Sequence, residues 1–341
     1  MAAESFDGHH AGDQHALGES LGPVVRQICD GRLGPIEWFR SVWQRGGAAT
    51  GLATWTDARI GGVPRPVMVK LPIGPVEFGW TVQLGGVEFD QFDAPESCAR
   101  PTPRVYAAGE SVGGYDLAWV VMERLPGKPL NTRPDGEAFE RLIRAAARFQ
   151  RDAANARPIG TAPNPPDWEA HVAKARQHLR DGVVAEPQRW NEALKRVQKM
   201  ADRLVERWAA RPINAWCHGD LHLGNAMERG GAESGSGAGS CVLIDLALVH
   251  AGHWAEDALY LERQYWGHEQ ALCGVKPVSA LARARRELGL ENGEDHSVIA
   301  NVRRVLAAAC VPLLLDREGN TRYVHGALEV LERVLPQLAR I

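Results

Sequence analysis

The sequence predicts an α+β protein in two parts, a small one rich in strands followed by a larger one that is mostly helical. Three observations predict it. Short β-prone runs bounded by proline and glycine fill the chain up to about residue 125. From Glu137 onward, apolar residues recur at helical spacing instead. The 341 residues, 45% hydrophobic and 24% charged, suit one large or two ordinary globular domains.

Taken in order, residues 1–22 carry Glu4, Asp7, Asp13 and Glu19 without a basic start or an apolar stretch. They read as a disordered tail and not as an export signal. Val24 to Trp43 has room for one or two short helices, and Ala53 to Leu71 reads as two extended segments around Gly61-Gly62. The run Pro66-Val-Met-Val-Lys-Leu-Pro72 is a strand ending at Lys70. Glu77 to Leu84 has helical spacing and Gly85-Gly86 stops it. Pro103 to Glu123 supplies two more extended segments, which closes a first unit at residues 23–125. The second unit, 126–341, holds helices over Phe139 to Ala153, Trp168 to Leu179 and Trp190 to Trp208, with three or four more after residue 254. Residues 230–240, all small or polar, interrupt it as a flexible hairpin tip.

A formal charge of −3 gives no general attraction for polyanions, so neither nucleic acid nor an acidic membrane is an expected partner. The longest nearly apolar run, Val305 to Leu315, contains Pro312 and falls well short of the roughly 20 residues that a bilayer demands. Six scattered cysteines without a CxxC pair fit buried thiols in a reducing compartment, which makes a cytoplasmic location the expectation.

The densest polar cluster is His218-Gly-Asp-Leu-His-Leu-Gly-Asn225, set between apolar segments. Gly219 and Gly224 let the loop bend so that Asp220 and Asn225 face one point. Twenty residues on, Val242-Leu-Ile-Asp245 ends an apolar run in an acid. A carboxylate at the mouth of a buried strand is expected to be paired or to hold a metal. A proton acceptor, an amide oxygen and a second carboxylate suit Mg²⁺ with phosphate.

This pattern resembles the catalytic loop and metal segment of the aminoglycoside phosphotransferase and choline kinase-like family, distant relatives of protein kinases. The resemblance spans about residues 40 to 270. It implies a bilobal kinase-like fold, with a small antiparallel β lobe and a larger helical lobe, that moves the γ-phosphoryl group of ATP to a hydroxyl of a small molecule. Asp220 would then orient and deprotonate the acceptor, His218 would brace the loop, and Asn225 and Asp245 would hold Mg²⁺. Lys70 matches the lysine that grips the α- and β-phosphates, with Glu77 as its helix partner and Glu88 as the competing choice. Gly47, Thr50 and Gly51, in the loop between the first two strands, would approach phosphate, although an ordinary hairpin turn accounts for them equally. Leu117 to Leu125 resembles the strand and hinge that bind adenine, which puts Glu123 and Leu125 at the nucleotide.

Departures from the family pattern are informative too. In Ala255-Glu-Asp-Ala-Leu-Tyr-Leu261, Asp257 fits and the second expected acid is Leu261. His222 reads as an ordinary loop histidine, and His253, Trp254, Tyr260, Tyr265 and Trp266 as core aromatics with an acceptor pocket as the sharper option. A rival reading takes His218, Asp220 and His222 as ligands of a metal-dependent phosphoester hydrolase, and another takes the chain as a catalytically silent nucleotide-binding regulator. The C-terminal acids Glu291, Glu294, Asp295, Asp316 and Glu318 are mixed with Arg and His and not massed as a polycationic acceptor would want. The acceptor and the oligomeric state are not legible.

Overall fold

Every second side chain of Arg65–Leu71 is withdrawn from solvent. Val67, Val69 and Leu71 are fully buried, and Met68 and Lys70 on the opposite face are half-buried, the alternation of a strand with one face in a core. In the computed structural model, which describes residues 10–39, 48–86, 100–181, 184–230, 240–314 and 320–339, this strand (β3) is central in an antiparallel sheet. The others are β1 (Glu37–Phe39), β2 (Ala49–Trp55), β4 (Val105–Gly109) and β5 (Trp119–Glu123), in the order β1-β2-β3-β5-β4. The register sets Lys70 opposite Thr50 on β2 and Val120 on β5. Helix α2 (Pro75–Gly85) begins with proline in its first turn, where the missing N–H costs no helical bond.

Residues 10–22, expected as tail, are part of a helix, α1 (His10–Ile28). Leu17, Leu21 and Val25 recur every four residues, and Leu21 and Val25 join Trp55, Val67, Val69 and Trp119 in the core of the sheet. Acidic residues and glycines conceal that stripe in the sequence. The glycines serve packing: Trp38 of β1 is seated against Gly18, Gly22 and Gly51, where an added Cβ would lie 2.8, 3.2 and 2.9 Å from its ring. Of Val24 to Trp43, where one or two short helices are expected, Val24 to Ile28 completes α1, Glu37–Phe39 is β1, and residues 40–43 lie outside the described residues.

Contacts divide the described residues into two compact units, one containing those up to 129 together with 225–249, the other 130–224 together with 250–341. The hairpin of β7 (Ala226–Arg229) and β8 (Ser240–Leu243) thus belongs to the first unit. There the Leu243 N–H donates to the Pro101 carbonyl at 2.8 Å. Residues 231–239 of the expected flexible tip lie outside the described residues.

The second unit is helical. Asp135 and Asp167 cap α3 (Gly136–Ala156) and α4 (Trp168–Arg180) by accepting the N–H groups of Ala138 and Ala170. They are followed by α5 (Pro187–Ala209), α6 (Ala255–Arg263), α7 (Pro277–Glu287), α8 (His296–Ala309) and α9 (Thr321–Val334). Trp168, Trp190, Trp208, Trp266, Val302 and Leu328 are among the side chains that fill its core. A short pair, β6 (Ala215–Cys217) with β9 (His250–Gly252), leads into the polar loop. Among the described residues no helix is long and apolar enough to cross a membrane.

Candidate active site

In the first unit, the Lys70 ammonium and the Glu77 carboxylate meet at 2.5 Å. Strand alternation turns Lys70 away from the apolar core, and the first turn of α2 brings Glu77 to it. Both are largely shielded, at 20% and 10% side-chain exposure, so the pair is held in a medium where charge attraction outlasts solvent screening. Thr50 shares the Lys70 face of the sheet because the two are directly paired. Thr50 and Gly51 lie within β2, not in the loop before it, and the small size of Gly51 is explained by Ile36 and Trp38 above it. Gly47 and Glu88 lie outside the described residues.

At the open end of the β7–β8 hairpin, Ala226 pairs with Leu243 and the Ile244 N–H donates to the Asn225 carbonyl at 3.0 Å. This register delivers Asn225 and Asp245 to the same end. Asn225 is buried; Asp245 is exposed, with φ 63 in the left-handed region that Asp tolerates better than most residues. The carboxylate expected at a buried strand mouth therefore faces solvent. Two hard oxygen donors so placed fit Mg²⁺, which takes few protein ligands and keeps positions for phosphate and water.

Glu123, at the end of β5, is held by Arg229 of β7 at 3.0 Å, and Arg229 also donates to the carbonyls of Arg100 and Thr102. The Glu123 and Arg124 N–H groups go to the Arg104 and Pro66 carbonyls. Leu125 is buried. The Glu123 side chain is thus a strut of the small unit.

In the second unit, the polar loop is anchored from beneath. Asp257 on α6 is fully buried and accepts the His218 and Gly219 N–H groups at 3.1 and 3.0 Å. Gly219, at φ 84, makes the turn that aims both N–H groups at one carboxylate. Gln150 of α3 donates to Asp257 at 3.0 Å and accepts from Arg285 of α7 at 2.6 Å, which fixes the carboxylate from its far side. Asp220 projects from this platform, its Oδ1 receiving the Tyr260 hydroxyl at 2.6 Å. His218 is fully buried, edge-on to Phe149, and its Nδ1 accepts the Asp220 N–H at 3.3 Å.

The chain matches the model of the phosphotransferase enzyme family over residues 88–285. The chain belongs to the phosphotransferase enzyme family. It is a small-molecule kinase with an alcohol group as acceptor. Among solved structures, the phosphotransferase is similar to aminoglycoside-3'-phosphotransferase of type VIII, at 20% identity over 88% of this chain and 100% of that one, with a TM-score of 0.40. It is also similar to a thermostable mutant of aminoglycoside phosphotransferase APH(4)-Ia bound to ADP and hygromycin B, at 14% identity over 96% and 99% of the chains and a TM-score of 0.48. A choline/ethanolamine kinase family protein from Mesorhizobium loti matches at 15% identity over 95% and 97%, with a TM-score of 0.48. A search of curated proteins finds no match.

The metal-hydrolase reading of the phosphotransferase is not favoured. His222 stands 3.5 Å from Asp220, but its Nδ1 accepts the Gly224 N–H at 3.0 Å, and the His218 Nδ1 likewise serves the backbone. Among the described residues no three His, Cys, Asp or Glu side chains are grouped to hold a metal ion. The silent-regulator reading has no support from a family of enzymes, and Leu261, in place of the second acid, is simply a buried core residue.

Gln150 escaped the sequence reading: it interrupts the apolar stripe of α3 at a position that is 1% exposed, and a lone polar residue on a buried stripe was the available signal. Tyr260, read first as a core aromatic with an acceptor pocket as the sharper option, is exposed and holds Asp220. Beside the loop, burial pushes Glu256 upward, yet His250, Arg211 and the His253 N–H outweigh it and hold the carboxyl at about 2. Burial first, with the charges of Arg211 and Arg285 adding to it, pushes His253 down to about 4 against the pull of Glu256.

Proposed function

We propose that this phosphotransferase moves the γ-phosphoryl group of ATP to a hydroxyl of a small molecule, with Asp220 as the residue that orients and deprotonates the acceptor. The observation that carries this reading is the setting of Asp220. Its carboxylate is partly exposed, oriented by Tyr260 at 2.6 Å, and mounted on a backbone that Asp257 fixes from within the unit. Phosphoryl transfer asks for positioning and charge neutralisation more than for a strong base.

Lys70 then binds the α- and β-phosphates, and Glu77 holds the ammonium in the orientation that reaches them. Asn225 and Asp245 hold Mg²⁺, which when bound neutralises phosphate charge. Thr50 flanks Lys70 on the phosphate side. With the Glu123 and Arg124 N–H groups already committed, the adenine edge falls to the Leu125 backbone. The acceptor is an antibiotic, a sugar, an amino alcohol or a related metabolite. The free thiols of Cys29, Cys217, Cys241, Cys273 and Cys310 support a cytoplasmic setting.

The test is a screen of hydroxyl-bearing metabolites and antibiotics for Mg²⁺-dependent ADP release. One or more acceptors that raise ADP release above the solvent rate, with a phosphomonoester as product, support the reading. Phosphoester cleavage without ATP would instead restore the hydrolase.

A further inference from the structure

A cavity of about 140 Å³ lies within the second unit, bordered by Gly219 of the polar loop, Tyr260 and Arg263 of α6, and Arg303, Arg304 and Ala307 of α8. Tyr260 connects it to the chemistry, because its hydroxyl donates to Asp220 while its side chain forms part of the wall. Liquid water occupies about 30 Å³ per molecule, so the space admits a small charged group and part of its carbon chain.

Most charges around this cavity are already matched. Glu256, also on the wall, receives Arg211 at 3.0 Å and His250 at 3.7 Å. Arg304 forks onto Glu262 at 2.6 and 2.7 Å, and Arg263 donates to the Tyr323 hydroxyl at 2.8 Å. Arg303 is different. Its guanidinium lies over the Trp168 ring at 4.7 Å and the Trp208 ring at 5.4 Å, and among the described residues no oxygen accepts a hydrogen bond from it. The residue is half-buried and is part of the cavity wall. Burial pushes its pKa down to about 10, which still leaves it charged at neutral pH.

Glu256 is the carboxylate whose charge acts on Arg303, and it is already shared by Arg211 and His250, so the guanidinium held against two indoles has a fork of donors with no carboxylate of its own. We propose that this cavity binds a carboxylate or phosphate group carried by the hydroxyl acceptor, with Arg303 as its counter-charge. The inference rests on the reading of Asp220 as the acceptor-activating base and narrows the acceptor class. An ammonium-rich acceptor would instead set its charge against Arg303 and Arg263.

The test titrates the full chain, by calorimetry, with inorganic phosphate, acetate and methylammonium in separate runs. At least one anion binds, methylammonium does not, and the anion that binds better identifies the group. Arg303→Gln weakens anion binding about tenfold or more, the loss of one charge-assisted fork. Ala307→Glu sets a carboxylate one helical turn from Arg303 and has the same effect, which keeps the test decisive if Arg303→Gln does not fold. Repeating the titrations with saturating Mg·ADP fills the nucleotide site and leaves the remaining anion binding sensitive to the cavity variants. Absence of anion binding, preference for methylammonium, wild-type affinity in both cavity variants, or anion binding abolished by Mg·ADP would overturn the proposal. Mg·ATP binding by the wild-type chain is titrated separately. Its absence would defeat the phosphotransfer reading and not the anion site, whereas failed anion binding with intact ATP binding would defeat the anion site alone.

Discussion

The Tyr260 hydroxyl donates to Oδ1 of Asp220 at 2.6 Å, joining the proposed base to the helix that also carries the anchor of its loop, Asp257. Removing that hydroxyl leaves the ring in place and frees the carboxylate to rotate. Tyr260→Phe should lower kcat about tenfold, the order expected when a reacting group loses its orientation. Steady-state kinetics checks this, with the KM for ATP and the melting temperature expected to stay at wild-type values because Tyr260 is 36% exposed.

Glu77 serves Lys70 by holding its ammonium, not by touching nucleotide. Glu77→Ala should therefore weaken Mg·ATP binding by about tenfold, or about 1.4 kcal/mol. Calorimetric titration measures it, and an unchanged affinity would remove Glu77 from the nucleotide site.

Asp257 accepts from three donors, the His218 and Gly219 N–H groups and the Gln150 amide, which also reaches the Trp254 carbonyl. Asp257→Ala removes all three bonds at once. Denaturant unfolding should show a loss of about 3 kcal/mol or more, and turnover should fall in the fraction that remains folded.

His253 sets an acid limit on stability. Its pKa is about 4 in the folded chain against 6.5 for an ordinary histidine. Between those values the unfolded chain binds a proton that the folded chain refuses, so stability falls as the pH drops from 6.5 to 4. The full effect is about 3 kcal/mol. His253→Asn can still accept the Ala255 N–H and cannot titrate, so its unfolding free energy should be flatter across that window. Glu256, held at about 2 against 4.5, adds a further loss only at lower pH.

Local patterns explain what was legible before any coordinates. Alternation in Arg65–Leu71 sets the face of Lys70, proline and glycine bracket the helix that carries Glu77, and the long 3.6-residue stripes of the second unit are strong over whole helices. The hidden parts depend on distant residues. Helix α1 reads as tail until Trp38 appears against its glycines, and Thr50 and Gly51 read as loop until β3 pairs with them. The Gln150 to Asp257 bond spans 107 positions, and Arg303 acquires its setting only where α4, α5 and α8 meet. No periodicity encodes such meetings, because side chains far apart in sequence are neighbours only after packing.

Transfer of labelled phosphate from γ-labelled ATP to an acceptor, compared between the wild-type chain and Asp220→Asn, tests the central claim most directly. The wild-type chain should form a phosphomonoester in step with ADP, and Asp220→Asn, which keeps the shape but removes the carboxylate, should lose at least about a thousandfold in rate, in line with the loss of a general base together with its orientation of the acceptor. Wild-type transfer rates in Asp220→Asn would contradict the account.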